Sequence, residues 1–322
     1  MEEFKDMNRA GPLSRILLPV DDVEAFRRAA RFIGTLLRAV DLTPQRADLL
    51  HVVTGTFLGD LMKGLDLVSG ETPTADEMNE LRRHHLATTV RPLVETCGEL
   101  LRVELGREPS RTIVKDGNPA RIISSFWEEN DYSSLVISRR NMDEESDSLV
   151  GSIAGGVLHR STLGTIYLVG DRSTAEAGTL LSRCLIGVDE SPASLNSVAE
   201  AGVLLARADD QVDQIYLVHV LDQSCYYDED GENCMDASLT GQRALEASGN
   251  LLVDLGVNRQ KIKTVIHFGK PGAILAEEVR SCDATLVFLG RRDRSRMAQV
   301  FPGSVCTEII QNCRDRTLVL SS

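Results

Sequence analysis

Ser138-Arg139-Arg140-Asn141 is followed ten residues later by Gly151-Ser152, and Gly290-Arg291-Arg292-Asp293 is followed at the same spacing by Gly303-Ser304. The match extends towards the start of each half. Gly117-Asn118-Pro119 stands as far before Gly151 as Gly269-Lys270-Pro271 stands before Gly303, and Leu17-Leu18-Pro19-Val20-Asp21-Asp22 answers Leu185-Ile186-Gly187-Val188-Asp189-Glu190. His51-Val52 and His219-Val220 lie at equal distances from those aspartates. The chain is therefore an internal duplication, and a repeat found first governs how every other feature is read.

The repeat divides the 322 residues into two units, 1–170 and 183–322, joined by a polar stretch from Asp171 to Ser182 that contains Gly178. Each unit is long enough to bury its own core. The net charge of −13 argues against a nucleic-acid partner or an anionic membrane surface, since phosphate backbones need a positive field. No apolar run approaches the roughly 18 residues of a membrane span, and Met1-Glu2-Glu3-Phe4 lacks the basic-then-apolar order of a signal peptide. A cytoplasmic protein is expected. Its seven cysteines are odd in number, with only Cys97 before Cys184, and read as reduced thiols.

Short apolar runs alternate with helical patterns: Ile16 to Val20, Leu49 to Val53, Arg111 to Lys115, Leu135 to Ile137 and Thr165 to Val169. The second half repeats them at Cys184 to Val188, Ile215 to Leu221, Lys263 to Phe268, Thr285 to Leu289 and Thr317 to Leu320. Such strands imply parallel sheets covered on both faces, giving an α/β class of two tandem doubly wound five-stranded sheets. The apolar strands that end the halves need cover, which predicts that they pair with each other. Phe26, Ala29, Ala30, Ile33 and Leu37 form a core-facing helical stripe, and Ser191-Pro192 supplies a cap with proline at the first helical position. The first half carries sixteen extra residues between its second strand and Gly117, placed around the charged segment 71–107. That segment reads as one long helix or two broken near Pro92, covering the first half's crevice or offering a partner surface.

A strand ending in glycine, a loop, and Gly-Ser opening a helix is an outline of phosphate binding. Glycine lets backbone N–H groups approach an anion, and a helix start attracts negative charge. Gly303-Ser304-Val305, opening a helix through Ile309 and Ile310, fits that outline. Ligands of open α/β sheets sit at the carboxyl ends of the strands where strand order reverses. If the first and fourth strands flank that point, Asp189 and Gly290 face one crevice. Asp189 there either receives ribose hydroxyls or a metal, or, with Glu190 and Ser191, simply caps the helix.

On these motifs the chain resembles a tandem universal stress protein over almost its whole length. The nucleotide-binding class of that family carries Gly, two residues, Gly, nine residues, then Gly-Ser or Gly-Thr after its fourth strand. Gly290, Gly303 and Ser304 match, whereas Asp293 replaces the middle glycine; in the first half Gly151 and Ser152 match, while Ser138 and Asn141 replace both earlier glycines. The resemblance implies ATP or AMP, with Mg²⁺ on the phosphates, held only by the second half. Gly187, Val188, Asp189, Val220, Gly290, Arg291, Asp293, Gly303, Ser304 and Val305 are the contacts it points to; Asp21 and Val52 are first-half counterparts. It also implies a stress-response regulatory module with a protein partner, built as an internal pseudo-dimer or a homodimer. The alternatives are a scaffold with vestigial pockets, which the Asp293 replacement favours, and a slow ATP hydrolase.

Local charge separates the halves in the same direction. Between Ser138 and Gly151 two arginines face four acids, and between Gly290 and Gly303 four arginines face Asp293 alone. A triphosphate is repelled by the first loop and attracted by the second, by under about 1 kcal/mol per exposed contact. Cys225 and Cys234 bracket an acidic stretch whose spacing fits neither zinc nor an EF-hand, so a surface loop is expected there. Cys282, Cys306 and Cys313 are expected to fill the core. There is no Gly-x-Ser-x-Gly elbow, Walker loop or His-Glu-x-x-His, so no dedicated catalytic set is legible.

Overall fold

The computed structural model describes residues 11–55, 74–139, 152–160, 164–170, 179–222, 233–291 and 305–322. In the first half the chain runs β1 (Arg15–Val20), α1 (Val23–Ala39), β2 (Arg46–Val53), α2 (Ala75–His85), a π-helical turn (Leu86–Val90) and α3 (Arg91–Leu105). It continues through β3 (Arg111–Asp116), α4 (Pro119–Glu129), β4 (Ser134–Ser138), α5 (Ser152–Arg160) and β5 (Thr165–Val169). The second half gives β6 (Arg183–Gly187), α6 (Pro192–Arg207), β7 (Gln214–Asp222), α7 (Asn233–Asp254), β8 (Ile262–Gly269), α8 (Pro271–Ser281), β9 (Leu286–Gly290), α9 (Val305–Asn312) and β10 (Thr317–Ser321).

Each half is a doubly wound five-stranded parallel sheet, as the strand pattern predicts. The two sheets are not separate, however. They merge into one ten-stranded sheet of order β3-β2-β1-β4-β5-β10-β9-β6-β7-β8, the same from either end once the halves are equated. The joint is the antiparallel pair β5 and β10, with Leu168 opposite Leu318 and Tyr167 opposite Val319. Pairing the last strands buries two apolar edges that would otherwise template association with other chains.

One face of the sheet is covered by α1, α3, α6 and α7, around Phe32, Cys97, Tyr167, Leu204 and Val319. The other carries α4, α5, α8 and α9, around Trp127, Val157, Ile166, Val279 and Ile309. Both cores draw on both halves. At the joint, Tyr167 of β5 donates its hydroxyl to Glu200 of α6, while the Phe32 and Tyr167 ring centroids lie 6.3 Å apart.

Local signals explain the helix starts. Asp22 accepts from Ala25 N at 2.8 Å and Asn118 from Arg121 N at 3.1 Å, so each caps a first turn. The repeated glycines before Pro119 and Pro271 have φ of 140° at Gly117 and 143° at Gly269, a region closed to most side chains. That is why Gly-x-Pro recurs at this bend.

The segment around Pro92 lies between β2 and β3, as α7 lies between β7 and β8, and forms two helices joined through a π turn. Pro92 has no N–H to give and its ring opposes a carbonyl one turn back, and the helix accommodates it by widening to a π turn in which Arg91 N bonds Leu86 O. Downstream, α3 lies close on α1: a Cβ on Gly34 would meet Glu104 O at 2.8 Å. Upstream, α2 buries none of its residues and is tied down by Arg82, which pairs with Asp116 at 2.6 Å.

Candidate functional site

In each half the first strand sits between the second and the fourth, so strand order reverses there. Helix α1 leaves towards one face and α5 approaches from the other. Between them, at the carboxyl ends of β1 and β4, lies a crevice of about 70 Å³. Its walls are Pro19 and Val20 of β1, Ala25, Phe26 and Ala29 of α1, and Leu50 and Val52 of β2. Pro119 and Ile123 of α4, Ile137 and Ser138 of β4, and Ile153 and Ala154 of α5 close it, with Asp21 and Asp22 at the rim.

Translated through the repeat, this lining gives the second-half residues expected at a ligand. Pro19, Val20, Asp21, Val52, Ser138 and Ile153 correspond to Gly187, Val188, Asp189, Val220, Gly290 and Val305. The register agrees, since Gly187 lies opposite Leu289 and places Val188 and Gly290 side by side at the lip. Val188 is buried, and Val220 and Val305 are half-buried on the α8–α9 face. Asp293, Gly303 and Ser304 lie outside the described residues, as do Gly151 and the acidic loop around Cys225.

Asp189 is engaged with the capping turn. Its Oδ1 accepts from Ser191 N at 2.8 Å and Ser191 Oγ at 2.5 Å, while Ser191 Oγ accepts from Ser194 N at 3.2 Å. Ser194 in turn accepts from Asp189 N at 3.0 Å. The carboxylate thus fixes the entry to α6.

Gly290 serves the same helix. A Cβ there would lie 2.4 Å from Ser194 N and 2.5 Å from the carbonyl carbon of Ala193, so the first turn of α6 rests on the bare backbone. Ser138 forbids that approach in the first half, where its Oγ accepts from Arg28 Nε at 3.2 Å and lines the crevice.

The paired histidines have one role in both halves. His51 Nδ1 lies 2.9 Å from Val20 O and His219 Nδ1 lies 2.8 Å from Val188 O. A carbonyl only accepts, so each ring carries its proton on Nδ1 and secures the lip of its crevice. Gly241 makes room for the His219 ring, whose Cδ2 would be 2.4 Å from any Cβ. In the first half His85 of α2 has its pKa lowered by burial and then by the charge on His51.

Arg291 points elsewhere than a phosphate loop suggests. Its Nη1 donates to Leu158 O of α5, in the other half, at 3.3 Å. Its counterpart Arg139 donates from Nη1 to Ile310 O of α9 at 2.6 Å. Sequence reasoning did not single out Arg139, although its place in the repeat was available. Cys306 was read only as core filling; it is half-buried at the start of α9, with its thiol directed to Gly290 O at 3.6 Å. Cys282 and Cys313 are buried as expected. Among the described residues no group of three or more His, Cys, Asp or Glu could hold a metal ion, and no helix is long and apolar enough to cross a membrane.

A duplicated doubly wound sheet whose strand order reverses at the same point in each half defines the class. The chain belongs to the universal stress protein family, whose model matches residues 12–165 and again residues 181–320. Across 96% of its length it is similar to a universal stress protein from Archaeoglobus fulgidus DSM 4304, covering 98% of that chain at 18% identity and a TM-score of 0.65. A protein of Pseudomonas aeruginosa PAO1, PA1789, described as functionally unknown, matches over 96% of this chain and 92% of its own, at 13% identity and a TM-score of 0.55. These likenesses show the fold. A universal stress protein in complex with cAMP matches 44% of this chain and 97% of its own, at 17% identity and a TM-score of 0.36. Comparison with curated protein sequences gives no match.

Proposed function

We propose that the second half binds an adenine nucleotide, ATP or AMP, and that occupancy alters how this stress protein meets a protein partner in the cytoplasm. The observation that carries the reading is the lip formed by Val188, Asp189 and Gly290, where strand order reverses between β6 and β9. Val220 and Val305 supply apolar surface for a base beside it, and α9 starts immediately after Gly303-Ser304. This reading assigns the nucleoside end of such a ligand to these residues. The phosphate end falls to Asp293, Gly303, Ser304 and the loop arginines, outside the described residues; there the arginine excess supports an anion and Asp293 opposes it. Mg²⁺, if used, binds through the phosphates, because Asp189 already holds Ser191.

The test is to denature protein purified without added ligand and assay the supernatant for adenine nucleotide. Release of about one equivalent per chain supports the reading. A specific observation favours the scaffold alternative: Asp189 and Gly290, both expected at a ligand, are engaged with the first turn of α6. A ligand-free preparation that also fails to bind added ATP selects that alternative.

A further inference from the structure

Arg139 and Arg291 follow the fourth strand of their respective halves, and each crosses the joint to a helix of the other half. The acceptors are related by the same repeat: Leu158 and Ile310 occupy equivalent positions in α5 and α9. Both carbonyls lie in the last turn of a helix, where C=O groups lack intrahelical partners and the negative end of the helix dipole favours a cation. Each half therefore caps the other half's helix. The contact is reciprocal, as in a twofold interface between subunits.

These helices also border the points where strand order reverses. Ala154, one turn before Leu158 on α5, lines the first-half crevice, and Ser138, next to Arg139, lines it too. In the second half Cys306, one turn before Ile310 on α9, contacts Gly290 O, and Arg291 follows Gly290. The arginines thus tie the end of the fourth strand of each half to the helix that bounds the reversal point of the other. Arg139 is held at its own end as well, with its N–H on Val169 O at 3.1 Å and its carbonyl accepting from Arg28 Nη2 at 2.5 Å.

We infer that Arg139 and Arg291 couple the two reversal points, so that filling the first-half crevice changes the order of α9 in the other half. The inference stands whether or not the second half binds nucleotide, and it is tested on the ligand-free full chain by hydrogen exchange. Arg139→Met should raise amide exchange in residues 305–312 by about tenfold, the scale of a lost charge-assisted hydrogen bond, and Arg139→Lys should restore part of the protection. Arg291→Met should do the same, more weakly, for residues 152–160, because its bond is longer. A purely local capping role would stop there.

Ala154→Leu, which fills the first-half crevice, distinguishes coupling from capping. With both arginines present it should change exchange in 305–312 by severalfold, and with Arg139→Met and Arg291→Met together that response should vanish. A response confined to the first half, or one indifferent to the arginines, overturns the inference. Should the double arginine variant fail to fold, the same comparison with Arg139→Lys and Arg291→Lys decides it by a reduced or an unchanged response.

Discussion

Gly290 and Ser194 approach so closely that no side chain fits between them: a Cβ at position 290 would stand 2.4 Å from the Ser194 amide nitrogen. A glycine that reads as room for a phosphate is thus also required by helix packing. The same position in the first half, Ser138, has a side chain, whose Oγ accepts from Arg28 Nε at 3.2 Å and which lines the crevice.

Gly290→Ser should consequently destabilise the chain by about 1–3 kcal/mol, as overpacking does, because the obstacle is backbone. Urea denaturation checks it, with Ser138→Gly as the comparison, expected to cost less. Equal losses would mean that the close approach of α6 does not decide this position.

Glu200 is a buried carboxyl at the joint, pushed up to about 7 by burial, which outweighs the hydrogen bonds from Tyr167 and Thr165. The unfolded chain ionises this group near the ordinary value of 4.5 while the folded chain retains the proton. Its contribution is therefore fully present below pH 4.5, is lost as pH rises to about 7, and then stays constant. Glu200→Gln lacks that loss. Its stability relative to the natural protein should shift in its favour by up to about 3 kcal/mol between pH 4.5 and 7.5. A constant gap across that range would contradict this assignment.

Helices α2 and α3 are continuous through the π turn but unequally held. Buried Val94, Cys97, Gly98 and Leu101 anchor α3, whereas no residue of α2 is fully buried and the Arg82–Asp116 pair that ties it down is exposed and screened by solvent. Trypsin acting on native protein should cut after Arg82 or Arg83 well before Arg102, as read by mass spectrometry. Simultaneous cleavage at all three would show that α3 is not anchored as described.

The sheet was legible because a duplicated strand pattern leaves little freedom, and the apolar strand from Thr165 to Val169 announced the need for pairing at the joint. The location of the crevice was legible for the same reason, since strand order determines where a doubly wound sheet opens. Side-chain direction was not. Arg291 after a strand reads as a loop cation, and nothing local reveals that a helix carbonyl from the other half awaits it. Asp189 illustrates the same limit: an acid before Ser-Pro fits a ribose or a cap equally well, and distances to Ser191 are needed to see the cap. Around Pro92 the length difference was legible, but the continuation of the helix past the proline through a π turn was not, because it depends on how the backbone absorbs the missing N–H.

Calorimetric titration of ATP into the intact chain, Gly303→Val and Gly151→Val tests the central claim most directly. One site in the natural protein is expected, lost in Gly303→Val, retained in Gly151→Val, and weakened by rising salt as screening of the arginine-rich loop requires. Two equivalent sites, undiminished affinity in Gly303→Val, or no binding to the natural protein would contradict a nucleotide site confined to the second half.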